Sequence, residues 1–148
     1  MKKKGTKKRK SSAKKNLGRY KSGLEKSCAD ALREHGVSFA YEETQFELMP
    51  SFRFPHRYLK MTAKKKTLTD RSNAIQQPIR YTPDFMGVGD HKWVIETKGF
   101  LTSHHDFPMR WKLFLKHILD NNLDYDVYLC KTTSQVLEAI DDIKKKYG

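Results

Sequence analysis

Residues 81–99 read YTPDFMGVGDHKWVIETKG. Pro83 precedes a carboxylate, Asp84; turn-forming residues follow at Gly87-Val88-Gly89-Asp90, and then an apolar run carries Glu96 and Lys98. Glycine and aspartate between two apolar stretches predict a hairpin, with strands over 79–85 and 92–98. Side chains two apart in a strand share a face. Glu96 and Lys98 therefore project together, while Trp93, Ile95 and Thr97 point the other way. Doubling the chain back brings Asp84 beside Glu96. Two carboxylates and an ammonium converging on one sheet face form a place for divalent cations.

Hard cations such as magnesium take oxygen ligands and retain several waters. Asp84 and Glu96 supply carboxylates, the backbone carbonyl of Thr97 is close enough in sequence to add an oxygen, and Glu25 completes a second metal position. Lys98 is placed to orient or help deprotonate an attacking water. Two magnesium ions per site, with manganese as a substitute, suit in-line displacement at phosphorus. Without a cation, the three carboxylates would repel one another and the phosphate. The competing reading is an ordinary exposed strand face with Asp84 as a turn residue.

Upstream, SGLEKSCADALREHG (22–36) predicts a helix capped by Ser22 and stopped at Gly36, with Leu24, Cys28, Ala31 and Leu32 as its buried stripe. Glu25 lies in its first turn, where the helix dipole favours an acid, and at the edge of that stripe, from which it can lean towards the sheet. A strand over 37–41 and an extended segment through Phe46 and Leu48 follow. Residues 51–79 mix Arg57, Lys60, Lys64, Lys65, Lys66 and Arg71 with Phe52, Phe54 and Tyr58. Such an insert either grips nucleic acid, stacking on unpaired bases, or is a solvated hairpin extending the sheet.

Downstream, a loop over 100–108 holds His104, His105 and Asp106; no companion Cys/His pair stands at zinc-site spacing. A helix over 108–121 is expected to bury Trp111, Phe114, Leu115, Ile118 and Leu119, leaving Arg110, Lys112 and Lys116 off that stripe, as phosphate contacts or a solvated face. A strand over 127–130 precedes a last helix from Thr133 or Ser134, burying Val136, Leu137, Ile140 and Ile143. The order is α-β-insert-β-β-α-β-α, an α/β fold with a small mixed sheet flanked by helices.

The 148 residues allow one domain, expected over 21–148 with 51–79 as an insert. The net charge of +13 is uneven: residues 1–24 hold eleven Lys or Arg and no acid, leaving nineteen basic against seventeen acidic residues in the rest. Residues 1–20 thus form a basic arm, expected to be disordered alone and suited to polyphosphate through Lys14, Lys15, Arg19 and Lys21. Two cysteines without a CxxC spacing favour a reducing compartment. No apolar run reaches spanning length and no signal-peptide core is present, so a cytoplasmic protein without membrane contact is expected.

SGLE at 22–25, YTPDF at 81–85 and ETKG at 96–99 resemble the motifs of the phage endonuclease I family of Holliday-junction resolvases, within the PD-(D/E)XK superfamily of restriction-endonuclease-like nucleases. The resemblance spans about residues 21–99, strong at the three motifs and weak between them. It implies a PD-(D/E)XK core, Glu25, Asp84 and Glu96 as metal-binding carboxylates, and Lys98 as the catalytic lysine. It further implies a domain-swapped homodimer acting on branched DNA in a phage-infected cell, in which Glu25 serves either its own site or the partner's. Residues 51–79 exceed the family's length. FELMPSF and MRWKLFLKHI look more like small phage nucleases of the same superfamily.

Three functions follow: a magnesium-dependent endonuclease selective for junctions or branched DNA; a nicking or general duplex endonuclease gripping DNA with its insert; and a non-catalytic nucleic-acid-binding protein.

Overall fold

The computed structural model describes residues 16–99 and 105–148. The residues expected to form most of the basic arm, Lys14 and Lys15 among them, lie outside this set, as does His104. In the described residues the chain is a mixed α/β fold with three helices and a small mixed sheet. No helix there is long and apolar enough to cross a membrane.

The central sheet has strand order β1 (Phe39–Tyr41), β8 (Phe85–Gly87), β9 (Trp93–Thr97), β10 (Asp126–Cys130). β8 is antiparallel to β1 and β9, and β10 is parallel to β9. Its turn depends on glycine twice. A Cβ on Gly87 would stand 2.1 Å from the His91 carbonyl oxygen, and Gly89 has φ +60°, a region open mainly to glycine.

Two helices cover one face. α1 (Gly23–Glu34) is capped by Ser22, whose hydroxyl accepts from the Glu25 N–H, and Gly36 follows at φ +67°, as its sequence predicts. α3 (Thr133–Tyr147) is capped by Thr132. Cys28, Ala29 and Leu32 of α1 and Val136, Ile140 and Ile143 of α3 pack with Phe85, Trp93 and Ile95 of the sheet. Leu137 is exposed, and Ala139 takes the buried place. Val136, Ala139, Ile140 and Ile143 form one i, i+3, i+4, i+7 row, from which Leu137 is offset. Tyr20, on the arm side of the expected boundary, is buried against Tyr41 and Phe85.

The opposite face holds α2 (Phe107–Asp120) and a two-stranded ladder of β2 (Phe46–Met49) and β7 (Ile79–Tyr81). Phe107 and Phe114 are buried with Tyr81, Met86 and Val94, and Trp111 and Ile118 pack around them. The expected stripe was too wide. Leu115 and Leu119 are exposed, Leu119 at 70%, because α2 meets the sheet along the narrower Phe107-Trp111-Phe114-Ile118 line.

The strand expected over 79–85 is two strands. β7 pairs with β2, and the chain then breaks at Thr82-Pro83-Asp84 before β8 joins the central sheet. Proline has no N–H for a ladder, so the break falls where Pro83 stands. Beyond β2 and β7 the insert is a nested hairpin: β3 (Phe52–Arg53) pairs with β6 (Ile75–Gln76), and β4 (Leu59–Lys60) with β5 (Thr69–Asp70), all antiparallel. It adds no strand to the central sheet.

Candidate active site

The β8–β9 register pairs Phe85 with Ile95 and Met86 with Val94. Continued one step back from Phe85, it sets Asp84 opposite Glu96, and the Asp84 N–H donates to Glu96 Oε2 at 3.2 Å. Directly opposite residues share a sheet face. Asp84, Glu96 and Lys98, with Glu25 and Lys21, line a cleft of about 800 Å³. Its other walls include Glu42, Tyr81, Asp106, Phe107 and Arg110. The sequence-expected group of Glu25, Asp84, Glu96 and Lys98 is therefore assembled in one place.

Each carboxylate is held by one oxygen. Asp84 Oδ2 accepts from the N–H and the hydroxyl of Thr97, at 2.9 and 2.8 Å. Glu96 Oε2 accepts the Tyr81 hydroxyl at 2.6 Å besides the Asp84 N–H. Glu25 Oε2 accepts the Tyr41 hydroxyl at 2.7 Å and the Lys21 N–H at 2.9 Å. Among the described residues, Asp84 Oδ1 and Glu25 Oε1 have no hydrogen-bond partner, and Glu96 Oε1 lies 3.5 Å from Lys98 Nζ. The Lys98 ammonium also sits 4.5 Å from the centroid of the Phe107 ring, a distance at which ring and cation attract.

These acids are buried: Glu96 is 3% exposed, Asp84 7% and Glu25 8%. Burial pushes the Asp84 carboxyl up to about 6, against the lowering effect of the Thr97 donors, with the Glu25 charge adding to the rise. Burial and then the Asp84 charge push Glu96 up to about 7, while Tyr81 and Lys98 pull the other way. Tyr81 and Tyr41 are held well above the usual phenol value, first by burial and then by their carboxylate partners. They remain hydrogen-bond donors near neutral pH.

The donors are all oxygen, the chemistry of magnesium or manganese, and two buried carboxyls resist ionising together without added positive charge. Among the described residues no three or more acidic, histidine or cysteine side chains stand close enough together to hold a metal ion by themselves. The donor set fits a hard cation held partly by water.

The expected nucleic-acid contacts are divided. Lys21 is on the cleft wall, paired with Glu42 at 2.7 Å. Arg110 is there too, donating to the Arg80 carbonyl at 2.9 Å and to Asp106 at 2.7 Å. Arg19 stacks over Tyr41, 5.1 Å from its centroid, outside the cleft lining. Lys112 and Lys116 are exposed on α2, away from the cleft, and Lys116 pairs with Asp120. Lys64, Lys65 and Lys66 are at the far end of the hairpin. Exposed His105 is not a cleft residue.

Sequence reasoning missed Tyr41 and Tyr81. Their signal was strand alternation ending in a polar-tipped aromatic, which reads as core. It also gave Thr97 a different part: the N–H and hydroxyl of Thr97 anchor Asp84, a cross-strand diagonal that face alternation does not reveal. Searched against protein-family models, curated proteins and solved structures, the chain has no match.

Proposed function

We propose that this chain is a metal-dependent DNA endonuclease of the PD-(D/E)XK type, selective for branched DNA. The observation that supports it most is the shared anchoring of Glu25, Asp84 and Glu96, each tied down through one oxygen in a cleft that also holds Lys98. Anchored carboxylates lose little freedom when they bind a ligand, which is the value of a rigid supporting shell. Asp84 and Glu96 would hold magnesium or manganese, with Glu25 and the Thr97 carbonyl as further ligands of a two-ion site. When bound, the metal supplies Lewis-acid stabilisation of charge at phosphorus.

The chain's own residues account for the remaining work. Lys98, confined between Glu96 and the Phe107 ring, orients the attacking water and offsets anionic charge. Arg110 and Lys21, which pair with Asp106 and Glu42 on the cleft walls, would exchange those partners for the phosphate backbone. Tyr41, Tyr81 and Thr97 keep the carboxylates in place. The motif resemblance adds a homodimer, in which two sites would cut opposing strands.

The test is cleavage of a labelled four-way junction and its matched duplex in magnesium, beside Lys98→Ala and Glu96→Gln. Paired nicks near the branch, absent from duplex and from both variants, are expected. Equal cutting of junction and duplex would retain the nuclease and remove its branch selectivity. Failure of magnesium and manganese on every substrate would leave a nucleic-acid-binding protein without turnover.

A further inference from the structure

The outer hairpin has no part in the core. From residue 50 to 78 no side chain is buried, and β3–β6 and β4–β5 each pack on themselves, with no helix packed substantially on them among the described residues. The hairpin is braced from within. The Arg71 N–H donates to the Tyr58 carbonyl at 2.7 Å, the Asn73 N–H to the Phe54 carbonyl at 3.1 Å, and the Tyr58 N–H to Ser72 Oγ at 3.0 Å. The Phe54 ring meets His56 and Tyr58 edge-on. These contacts stiffen the arm and leave its outward side chains unused by the fold.

At the far end, two kinds of side chain coincide. The β4–β5 register pairs Leu59 with Asp70 and Lys60 with Thr69, where the ladder ends; Met61 and Leu68 are the next residues out on its two strands. Met61 is 82% exposed and Leu68 59%. Between them come Lys64, Lys65 and Lys66, all exposed. Over residues 51–77 seven Lys or Arg stand against a single acid, Asp70. An exposed apolar pair on a stiff arm of this charge suits a polyanion that also offers flat apolar surface. Nucleic acid offers both, in its phosphates and its base faces.

We propose that the hairpin tip is a wedge for DNA at a break in base stacking: Met61 and Leu68 lie against the bases of a branch or unpaired step, and Lys64, Lys65 and Lys66 bind the flanking phosphates. Apolar side chains inserted at a base step unstack it at a cost, which is least where stacking is already interrupted. The contact would therefore select branched over continuous duplex. The inference deepens the nuclease reading above, and rests on it for the choice of DNA as the polyanion. Branch selectivity would then originate outside the cleft.

The test uses the full chain in EDTA, so that binding is read without cleavage. Anisotropy is measured on a four-way junction carrying 2-aminopurine at the branch and on its matched duplex, for the wild type, Met61→Ser/Leu68→Ser and Lys64→Ala/Lys65→Ala/Lys66→Ala. All five residues are exposed, and circular dichroism checks that the variants fold. The serine pair is expected to lose about tenfold in junction affinity, to lose the 2-aminopurine brightening, and to keep duplex affinity. The lysine triple is expected to weaken both substrates and to flatten the salt dependence by about two to three in slope.

A serine pair with undiminished junction preference and brightening would overturn the wedge. So would a wild type that binds both DNAs equally, even if it cuts them in magnesium. Loss of binding to phosphatidylserine–phosphatidylcholine vesicles, or of self-association in sedimentation, with junction binding unchanged would reassign the tip to a lipid surface or a second copy. A wedge that passes this test in a protein without turnover would stand while the nuclease reading fell.

Discussion

The main-chain N–H of Asp84 donates to Oε2 of Glu96 at 3.2 Å, so the two acids are fixed to each other across neighbouring strands. The second donor on that oxygen is the Tyr81 hydroxyl. Tyr81→Phe removes it while keeping the ring in its buried place. A hydrogen bond to a charged group contributes about 1.5–3 kcal/mol, and this one lowers the Glu96 pKa. The variant is expected to lose about tenfold in cleavage rate near pH 7 and to regain part of it at higher pH. A rate–pH profile superimposable on the wild type would remove Tyr81 from the site.

Stability should depend on pH in the direction opposite to ordinary acid denaturation at these two groups. Asp84 at about 6 and Glu96 at about 7 stand above their usual values of 3.8 and 4.5, so the fold binds their protons more tightly than the unfolded chain does. Their contribution is full below about pH 4 and is lost as pH rises through 6 to 7. Without metal, Tm is expected to fall between pH 5 and pH 8 by about 5–10 °C, given a few kcal/mol at stake. Magnesium should recover most of this at pH 8 and little at pH 5. A magnesium effect equal at both values would disconnect it from these carboxyls.

Asp84→Asn separates stability from activity. The Thr97 N–H and hydroxyl, which now donate to Asp84 Oδ2, can donate to an amide oxygen in the same place, and one buried charge disappears. Metal-free Tm at pH 8 is expected to rise by about 3–6 °C, with cleavage lost and DNA affinity kept within a few-fold. A lowered Tm would mean that the carboxylate stabilises the fold, contrary to its burial.

The turn glycines differ in kind. Gly87→Ala drives a Cβ into the His91 backbone and should cost about 2–4 kcal/mol. At Gly89 nothing lies within 4 Å of an added Cβ and only φ is unfavourable, so alanine should cost about 1 kcal/mol. Urea denaturation ranks them. The reverse order would contradict the packing of His91 over β8.

Much of the site was legible because it is local: a proline-aspartate, a glycine turn and an alternating Glu96-Thr97-Lys98 force one register, and Ser22 and Gly36 punctuate α1 plainly. Less legible was whatever depends on what packs opposite. Leu119 and Leu137 have the hydrophobicity of core residues, but only the line of contact between helix and sheet decides which apolar side chains are covered. Tyr41 and Tyr81 read as core because the carboxylates they serve are distant in sequence. The insert could not be resolved between sheet extension and separate arm because its short strands pair only with each other.

The break at Pro83 has a mechanical consequence. β7 is the root of the hairpin, and its last residue, Tyr81, is the side chain that holds Glu96; three positions later comes Asp84. Only residues 50–51 and 77–78, which belong to no strand, join the outer hairpin to that root. A load at the tip would travel down a braced lever to the Tyr81–Glu96 bond, making the arm a part of the site's suspension. Slower amide exchange at Tyr81 when the tip engages DNA, in protein without metal, is the expected trace of that linkage, and unchanged exchange there would show that the two ends move independently.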